Sequence, residues 1–277
     1  YAVRHAQLDL AKPHLVKALA LSDRLSTRER LRVTAWLAIA NQRYDEAIAA
    51  SRALFERDDT DPEVAVQLIT LLHGEGRIEE ALGIAQRASA TAPASGAVLN
   101  VLGLSYSLLG RHDDAVAAQQ RQVALAPASA NALDSLGLAL QWAGRYEEAL
   151  ESYQRALDLD AGFEVAWFHR GNTLAQVGRY QDAREAFARA MAVAEHDADR
   201  ARGLTLVGLV ELARRDLAAA EGAFARAQAL TGRTPPEAAL LADVGGDRTA
   251  AMAVARASVG RGANRGAGAT RRFNSYL

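Results

Sequence analysis

The sequence contains no cysteine, which excludes disulfide bonds, thiol nucleophiles and cysteine-ligated metal sites. Aromatic residues make up only 6% of the chain, although half of its residues are hydrophobic. Much of this hydrophobic content is alanine, which is typical of helices that pack closely through small side chains. No apolar run reaches the roughly 18 residues of a membrane span, so we expect no segment of this sequence to cross a membrane.

Acidic residues are missing from one end of the chain. Residues 248–277 contain six arginines and no acid, whereas residues 62–163 contain 12 acids and six arginines. The chain opens on Tyr1 and shows no signal-peptide pattern, so we expect a processed chain or a piece of a longer protein. We predict a cytoplasmic location, although the absence of cysteine fits the periplasm equally well.

A period of 34 residues runs through most of the chain. Arginine recurs at Arg43, Arg77, Arg111, Arg145 and Arg179, and glycine directly precedes the last four of these. Alanine follows each arginine by four residues. The next step is 37 residues long, from Phe187 to Phe224. A fixed period of this size indicates an array of repeated supersecondary units.

Each unit has the pattern of two helices, as residues 130–163 illustrate. Leu133, Leu136, Gly137 and Leu140 fall on one face of a first helix. Gly144 is expected to end that helix, because glycine enters the left-handed conformation at low cost. The second helix places Tyr146, Ala149, Tyr153 and Ala156 on one stripe. We therefore predict an all-α protein built from antiparallel helix pairs.

These residues resemble the tetratricopeptide repeat. The resemblance implies a right-handed α-solenoid, or superhelix, of about six to seven 34-residue units. The segment ALALSDRLSTRERLRV at 18–33, followed by repeats, also resembles the C-terminal sensor or scaffold region of large bacterial signalling proteins. That likeness implies that a kinase or DNA-binding domain precedes the array in a longer chain.

We divide the chain into an N-terminal partial repeat, a repeat array and a basic tail. The partial repeat is 1–27, the tail is 260–277, and the array is 28–61, 62–95, 96–129, 130–163, 164–200, 201–234 and a shortened unit at 235–259. The first three repeats depart from the pattern. Ala35 and Ile69 replace the close-packing glycine, and Ser51 and Gln119 replace the aromatic residue. We expect these three repeats to pack less regularly than the fourth and fifth repeats.

The sequence offers no constellation of residues for catalysis. No phosphate-binding loop occurs, and the six histidines show neither H-x3-H nor H-E-x2-H spacing. Ser105 lies inside a repeat helix and lacks the glycines of a nucleophile elbow. We therefore predict that the chain is not an enzyme and has no catalytic residue, metal site or cofactor.

In tetratricopeptide proteins, a stripe of the first helices beside the core stripe lines a concave groove. Residues 2, 5, 9 and 12 of each repeat should form it here, which gives Asn100, Leu104, Asn131, Asp134, Leu138, Gln141, Phe168 and Asn172. Phe168 would be an apolar anchor whose removal leaves folding nearly intact. Asn100 and Asn172 would hold a ligand backbone, and Asp134 would favour a basic residue.

The predicted function is a protein-interaction scaffold that binds a basic or neutral peptide segment or a partner protein in this groove. Ordinary helix surface is the alternative for these residues. Structural docking on the parent chain or on another copy has equal weight as a function. Contact with nucleic acid through Arg256, Arg261, Arg265, Arg271 and Arg272 is a minor alternative. Trp36 and Trp142 are either exposed anchors or contacts to the next unit.

Overall fold

The computed structural model describes residues 2–238 and 240–241. Over this part of the chain it contains thirteen α-helices, two short 3₁₀ helices and no strand, so the predicted all-α solenoid class is confirmed. The helices are α1 Ala2–Ala20, α2 Thr27–Ala40, α3 Tyr44–Phe55, α4 Pro62–Gly74, α5 Ile78–Thr91, α6 Gly96–Leu108, α7 His112–Leu125, α8 Ala130–Trp142, α9 Tyr146–Leu159, α10 Glu164–Gln176, α11 Tyr180–Val193, α12 Asp197–Arg214 and α13 Leu217–Thr231.

The described helices belong to two compact units, which we call unit 1 (residues 2–125) and unit 2 (residues 126–241 without 239). In unit 1 the helix pairs are α2–α3, α4–α5 and α6–α7, and α1 packs on α2. In unit 2 the pairs are α8–α9, α10–α11 and α12–α13. Most of the predicted shortened repeat at 235–259 and all of the predicted tail at 260–277 lie outside the described residues.

Every helix pair turns on one residue in the left-handed backbone conformation. In four pairs it is glycine, namely Gly76, Gly110, Gly144 and Gly178, with φ from 72° to 82°. Gln42 and Arg215 hold the same place in the first and last pairs, with φ of 58° and 69°. The following amide donates to the carbonyl five residues earlier, as Arg145 does to Leu140 at 2.9 Å. This Schellman-type bond confirms the predicted role of Gly144 in ending its helix.

The periodic arginine has an acidic partner three residues later. The pairs are Arg43–Glu46, Arg77–Glu80, Arg111–Asp114, Arg145–Glu148 and Arg179–Asp182, with nitrogen–oxygen distances of 2.5 to 2.8 Å. Each arginine immediately precedes a second helix, and each acid lies in its first turn, where a negative charge is favourable. These exposed pairs mark the start of the second helix and add little stability.

The two helices of a pair approach each other through one small residue. In unit 2, Gly137, Gly171 and Gly208 face Tyr153, Phe187 and Phe224, respectively. A Cβ atom at any of these glycines would lie 2.5 Å from the nearest ring carbon, far inside van der Waals contact. The same places in unit 1 hold the combinations Ala35 with Ser51, Ile69 with Ala85, and Gly103 with Gln119, all buried.

Within each unit the first helices of consecutive pairs form a closely spaced layer. Helix α4 contacts α6 in unit 1, and α10 contacts both α8 and α12 in unit 2. The second helices α3 and α5 are instead linked by long side chains, with Arg52 paired to Glu80 and Arg87 to Glu56. The first-helix layer therefore lies on the inside of the local curve of each unit.

Candidate functional site

One face of α8 is not covered by neighbouring helices. Asn131 is exposed, and Ser135, Leu138 and Trp142 are partly exposed. Every other residue between Ala132 and Gln141 is buried. The uncovered residues follow one another at spacings of four, three and four, so they form a single stripe along the helix.

Helix α10 continues this surface at the same places of the next repeat. Val165 and Asn172 are partly exposed and Gln176 is exposed, while His169, the fourth residue of this register, is buried. Because α8 and α10 contact each other, the two stripes are neighbours. We name the surface the unit 2 stripe, and its residues are Asn131, Ser135, Leu138, Trp142, Val165, Asn172 and Gln176. It carries amide, hydroxyl, aliphatic and indole groups and no charged side chain.

Asn172 contributes an unsatisfied hydrogen-bond acceptor to the unit 2 stripe. Its Oδ1 atom is buried and accepts no hydrogen bond from the residues that the structure describes. A buried amide oxygen without a donor costs free energy relative to the solvated group. Because the side chain as a whole is partly exposed, rotation of its terminal amide would bring this oxygen to the surface, where an N–H group of a ligand lying along α10 would supply the donor.

The unit 2 stripe contains three of the eight predicted groove residues, Asn131, Leu138 and Asn172. The uncovered positions of the first helix are 2, 6, 9 and 13 of the repeat, whereas the prediction used 2, 5, 9 and 12. Both sets flank the core stripe at helical spacing. The adjacent helix pair buries one of the two flanks and leaves the other uncovered. The 34-residue period does not show which flank that is.

Phe168 is a core residue, so its prediction as an exposed anchor is wrong. Its side chain is 0% exposed. The centroid of the Phe168 ring lies 6.3 Å from the centroid of the Phe187 ring. The guanidinium carbon of Arg202 lies 4.3 Å from the Phe168 centroid. Truncating a buried aromatic residue leaves a cavity and typically costs about 3–5 kcal/mol. Phe168→Ala is therefore expected to impair folding.

Asp134 and Gln141 are predicted to line the groove, but both are buried, at 5% and 7% exposure. Their polar groups therefore do not face a ligand. The Asp134 carboxylate accepts a hydrogen bond from His169 Nδ1 at 2.9 Å, which joins α8 to α10. The phenol of Tyr153 donates to Gln141 Oε1 at 2.9 Å, which joins α9 to α8. Burial raises the pKa of Tyr153, and the nearby charge of Asp134 adds to the effect. These polar groups hold the helices together.

The two predicted groove residues of unit 1 are also engaged within the fold. The backbone and side-chain oxygens of Asn100 accept from Gln119 Nε2 at 3.3 and 3.4 Å, and Leu104 is only 7% exposed. Trp36 lies at the place on α2 that Leu138 holds on α8, and it is 40% exposed. Trp36 and Trp142 therefore both belong to the uncovered face of their helices.

A buried histidine–serine contact in unit 1 has the distance of a catalytic pair but not its setting. His73 Nε2 lies 2.8 Å from Ser105 Oγ, which donates to the carbonyl of Val101 at 2.7 Å. The histidine is 2% exposed and the serine 0%, so no substrate reaches the hydroxyl in this conformation. The absence of catalytic activity and of a cofactor stays a prediction.

Among residues 2–238 and 240–241, no group of three or more histidine, aspartate or glutamate side chains could hold a metal ion. No helix of that part of the chain has the length and apolar character needed to cross a bilayer. The arginines proposed to contact nucleic acid, from Arg256 onward, lie outside the described residues.

The helix pairs, their shared turn and the closely spaced first-helix layer define an α-helical repeat protein. A family model described as "TPR repeat" matches residues 143–178, and models described as "Tetratricopeptide repeat" match 38–104, 97–129 and 165–197. Together these matches cover more than half of the 277 residues. The chain belongs to the tetratricopeptide-repeat proteins.

Solved structures show the same fold at low sequence identity. A tetratricopeptide repeat protein from Parabacteroides merdae is 16% identical with a TM-score of 0.67, over 87% of this chain and 93% of that one. A chain of the APC/C hetero-tetramer Cut9–Hcn1 is 18% identical with a TM-score of 0.65, over 86% of this chain and 46% of that one. MamA from Desulfovibrio magneticus is 22% identical with a TM-score of 0.52, over 61% of this chain and 96% of the MamA chain. No curated protein matches the sequence significantly.

Proposed function

We propose that the chain is a protein-interaction scaffold whose unit 2 stripe binds an extended, uncharged segment of a partner protein. The observation that carries this proposal is the buried Oδ1 atom of Asn172, which lacks a donor among the described residues. An extended segment presents backbone N–H groups at regular intervals and can supply that donor once the amide of Asn172 turns towards the surface. Asn131 and Gln176 add two further, exposed amides to the stripe.

Trp142 replaces Phe168 as the proposed anchor. It is partly exposed on α8, one turn beyond Leu138, so the two side chains offer an apolar contact beside the amides. Tryptophan is enriched among the residues that dominate binding energy, because it combines a large apolar area with a polar N–H. We expect an apolar side chain of the ligand to rest here.

The charge of the ligand follows from what the unit 2 stripe lacks. Asp134, the only carboxylate among the predicted groove residues, is buried against His169. A basic residue of the ligand therefore finds no carboxylate on the stripe itself, and an uncharged segment fits it better than a basic one. This narrows the expected partner from a basic or neutral segment to a neutral one.

The experiment is a selection of peptides from a random library, followed by calorimetry with variants of the stripe. We expect Trp142→Ala to weaken binding about 30-fold or more, as for a residue central to an interface. Asn172→Leu, which removes the amide at similar volume, should weaken it about tenfold through the lost hydrogen bond. Gln154→Ala, on the exposed face of α9, is the matched control and should leave affinity unchanged.

Circular dichroism and thermal unfolding check that each variant is folded, because Trp142 is partly buried. Peptides that bind the folded Trp142 and Asn172 variants as tightly as the parent chain would contradict the proposal. A selection that yields no binder would favour the alternative in which the array docks onto its parent protein or onto another copy.

A further inference from the structure

In both units a buried histidine bridges the first helices of consecutive pairs. In unit 1, His73 of α4 contacts the hydroxyl of Ser105 on α6. In unit 2, His169 of α10 contacts the carboxylate of Asp134 on α8. Both bridges join first helices of consecutive pairs, and they differ in the chemistry of the partner.

The geometry around His73 assigns its proton. Ser105 Oγ lies 2.7 Å from the carbonyl oxygen of Val101, and a hydroxyl has only one hydrogen to donate. Once that hydrogen goes to Val101, the 2.8 Å contact with His73 requires the imidazole to donate from Nε2. The other ring nitrogen, Nδ1, is buried without a hydrogen-bond partner among the described residues. A second proton would have to enter at Nδ1.

No charged side chain in the described part of the chain stabilises a protonated His73 ring. Helices α3, α5 and α6 pack against α4, and α6 contains no charged residue. The charged residues of α3 and α5 are at least partly exposed, and they are Asp45, Glu46, Arg52, Glu79, Glu80 and Arg87. None of them contributes to the pKa of His73, which burial alone lowers to about 4. The imidazolium would be a buried cation with an unpaired N–H.

The bridge in unit 2 responds differently to a proton. His169 Nδ1 donates to a carboxylate, which accepts that bond whether the ring is neutral or charged. Protonation of the ring adds attraction to Asp134, since the two side chains are then oppositely charged. A proton added to the ring therefore leaves this hydrogen bond in place.

We propose that the contact of His73 with Ser105 makes the junction of α4 and α6 an acid-sensitive hinge, which opens locally while the junction of α8 and α10 stays closed. The opened junction exposes the imidazole to water, where it can take up a proton. Acidification thus loosens the first-helix layer of unit 1 and leaves that of unit 2 intact.

The direction of the effect follows from linkage between folding and protonation. The pKa of His73 is about 4 with the junction closed and has its ordinary value near 6.5 in the open state. The stabilising effect of the neutral ring is fully present above about pH 6.5 and is lost as the pH falls towards 4. At pH 4.5 the equilibrium for opening should have increased roughly 50-fold or more.

The experiment is hydrogen exchange of the full chain at pH 7 and pH 4.5, corrected for the intrinsic exchange rates and resolved by peptide. We expect protection of α4 and α6 to fall about 50-fold more than that of α8 and α10. In His73→Gln, whose amide can still donate to Ser105, this difference should shrink to less than about fivefold. Equal losses in both units, or a difference that persists in the glutamine variant, would overturn the proposal.

A second measurement on the unmodified chain covers the case in which the variant folds poorly. Nuclear magnetic resonance of the histidine ring protons should distinguish the buried His73 from His14 and His196, which are exposed. The His73 signal should not titrate above about pH 5 while α4 and α6 remain protected. Titration of His73 near pH 6.5 in a chain that stays fully protected would also overturn the proposal.

Discussion

The two units fill the space between paired helices in different ways. Unit 2 repeats one solution three times, with Gly137, Gly171 and Gly208 each facing an aromatic ring. Unit 1 uses three solutions, and in the second pair the large residue has moved to the first helix, where Ile69 faces Ala85. Both of these side chains are 0% exposed, so the crossing is filled without a glycine. The repeat requires a combined volume at this crossing, and several residue combinations satisfy it.

The varied solutions of unit 1 have a cost that unit 2 avoids. Ser51 Oγ and Gln119 Oε1, at the aromatic positions of the first and third pairs, are buried without hydrogen-bond partners among the described residues. An unsatisfied buried polar atom lowers stability, whereas the ring of Phe187 has no polar atom to satisfy. In unit 2 the corresponding phenol of Tyr153 is paired with Gln141.

The largest difference between the units is expected at their buried histidine bridges. Asp134→Ala leaves His169 Nδ1 without its carboxylate acceptor in a buried site, and losing a hydrogen bond to a charged group costs about 2–3 kcal/mol. Ser105→Ala in unit 1 leaves only a neutral N–H of His73 unpaired, at about 1–2 kcal/mol. Hydrogen exchange, recorded in each unit as the urea concentration rises, measures the loss in free energy of unfolding for both variants. Equal costs would contradict the expected difference between the two bridges.

Adding one methyl group at the helix crossing should also separate the units. Gly171→Ala places a Cβ 2.5 Å from the Phe187 ring, and overpacking against a rigid ring should cost about 2–3 kcal/mol. Gly103→Ala meets the amide end of Gln119, a flexible side chain that can turn away, so we expect about 1 kcal/mol. The comparison of unfolding midpoints in urea decides between them.

Two glycines serve as controls for that comparison, one in each unit. Gly83 and Gly222 lie within helices α5 and α13, and a Cβ added there meets no atom within 4 Å. Alanine at either place should stabilise the chain by about 0.5–1 kcal/mol through its better helix propensity. A loss of stability at these controls would show that the cost at Gly171 does not come from the contact with Phe187.

The smallest effect is expected where the units agree. Gln42 in unit 1 and Arg215 in unit 2 hold the left-handed turn that glycine holds in the other pairs. Gln42→Gly and Arg215→Gly should each stabilise by about 0.5–1 kcal/mol, because glycine adopts this conformation without strain. Thermal unfolding monitored by circular dichroism measures the gain. A clear loss in either variant would indicate that the replaced side chain makes a stabilising contact.

The sequence predicts the helix pairs of this chain better than the surface they expose. The 34-residue period, Gly144 and the spacing of Ala149 and Tyr153 suffice for the pairs, because these signals are local. The binding surface depends on which flank of α8 meets the neighbouring pair, which is a tertiary contact. Asp134 and Ser135 are adjacent in sequence, and only packing against α10 buries the first and leaves the second partly exposed.

A second pattern in the same sequence would have corrected part of the prediction of the groove residues. The buried pairs include His169 with Asp134, 35 residues earlier, and His73 with Ser105, 32 residues later. Polar residues that recur at nearly one repeat length on first helices are candidates for bridges between repeats rather than for ligand contacts. The partly exposed Trp142 had a sequence signal too, since it falls outside the core stripe of α8.

The most direct test of the proposed binding surface uses the absence of cysteine, which permits single cysteines to be introduced and labelled. Ser135→Cys lies on the unit 2 stripe, and Gln154→Cys lies on the exposed face of α9. Both should react quickly with a thiol reagent in the free chain. With a selected peptide bound at saturation, labelling at residue 135 should slow about tenfold or more, while labelling at 154 stays unchanged. Protection at 154 together with unchanged labelling at 135 would contradict the account, because the partner would then bind the second helices.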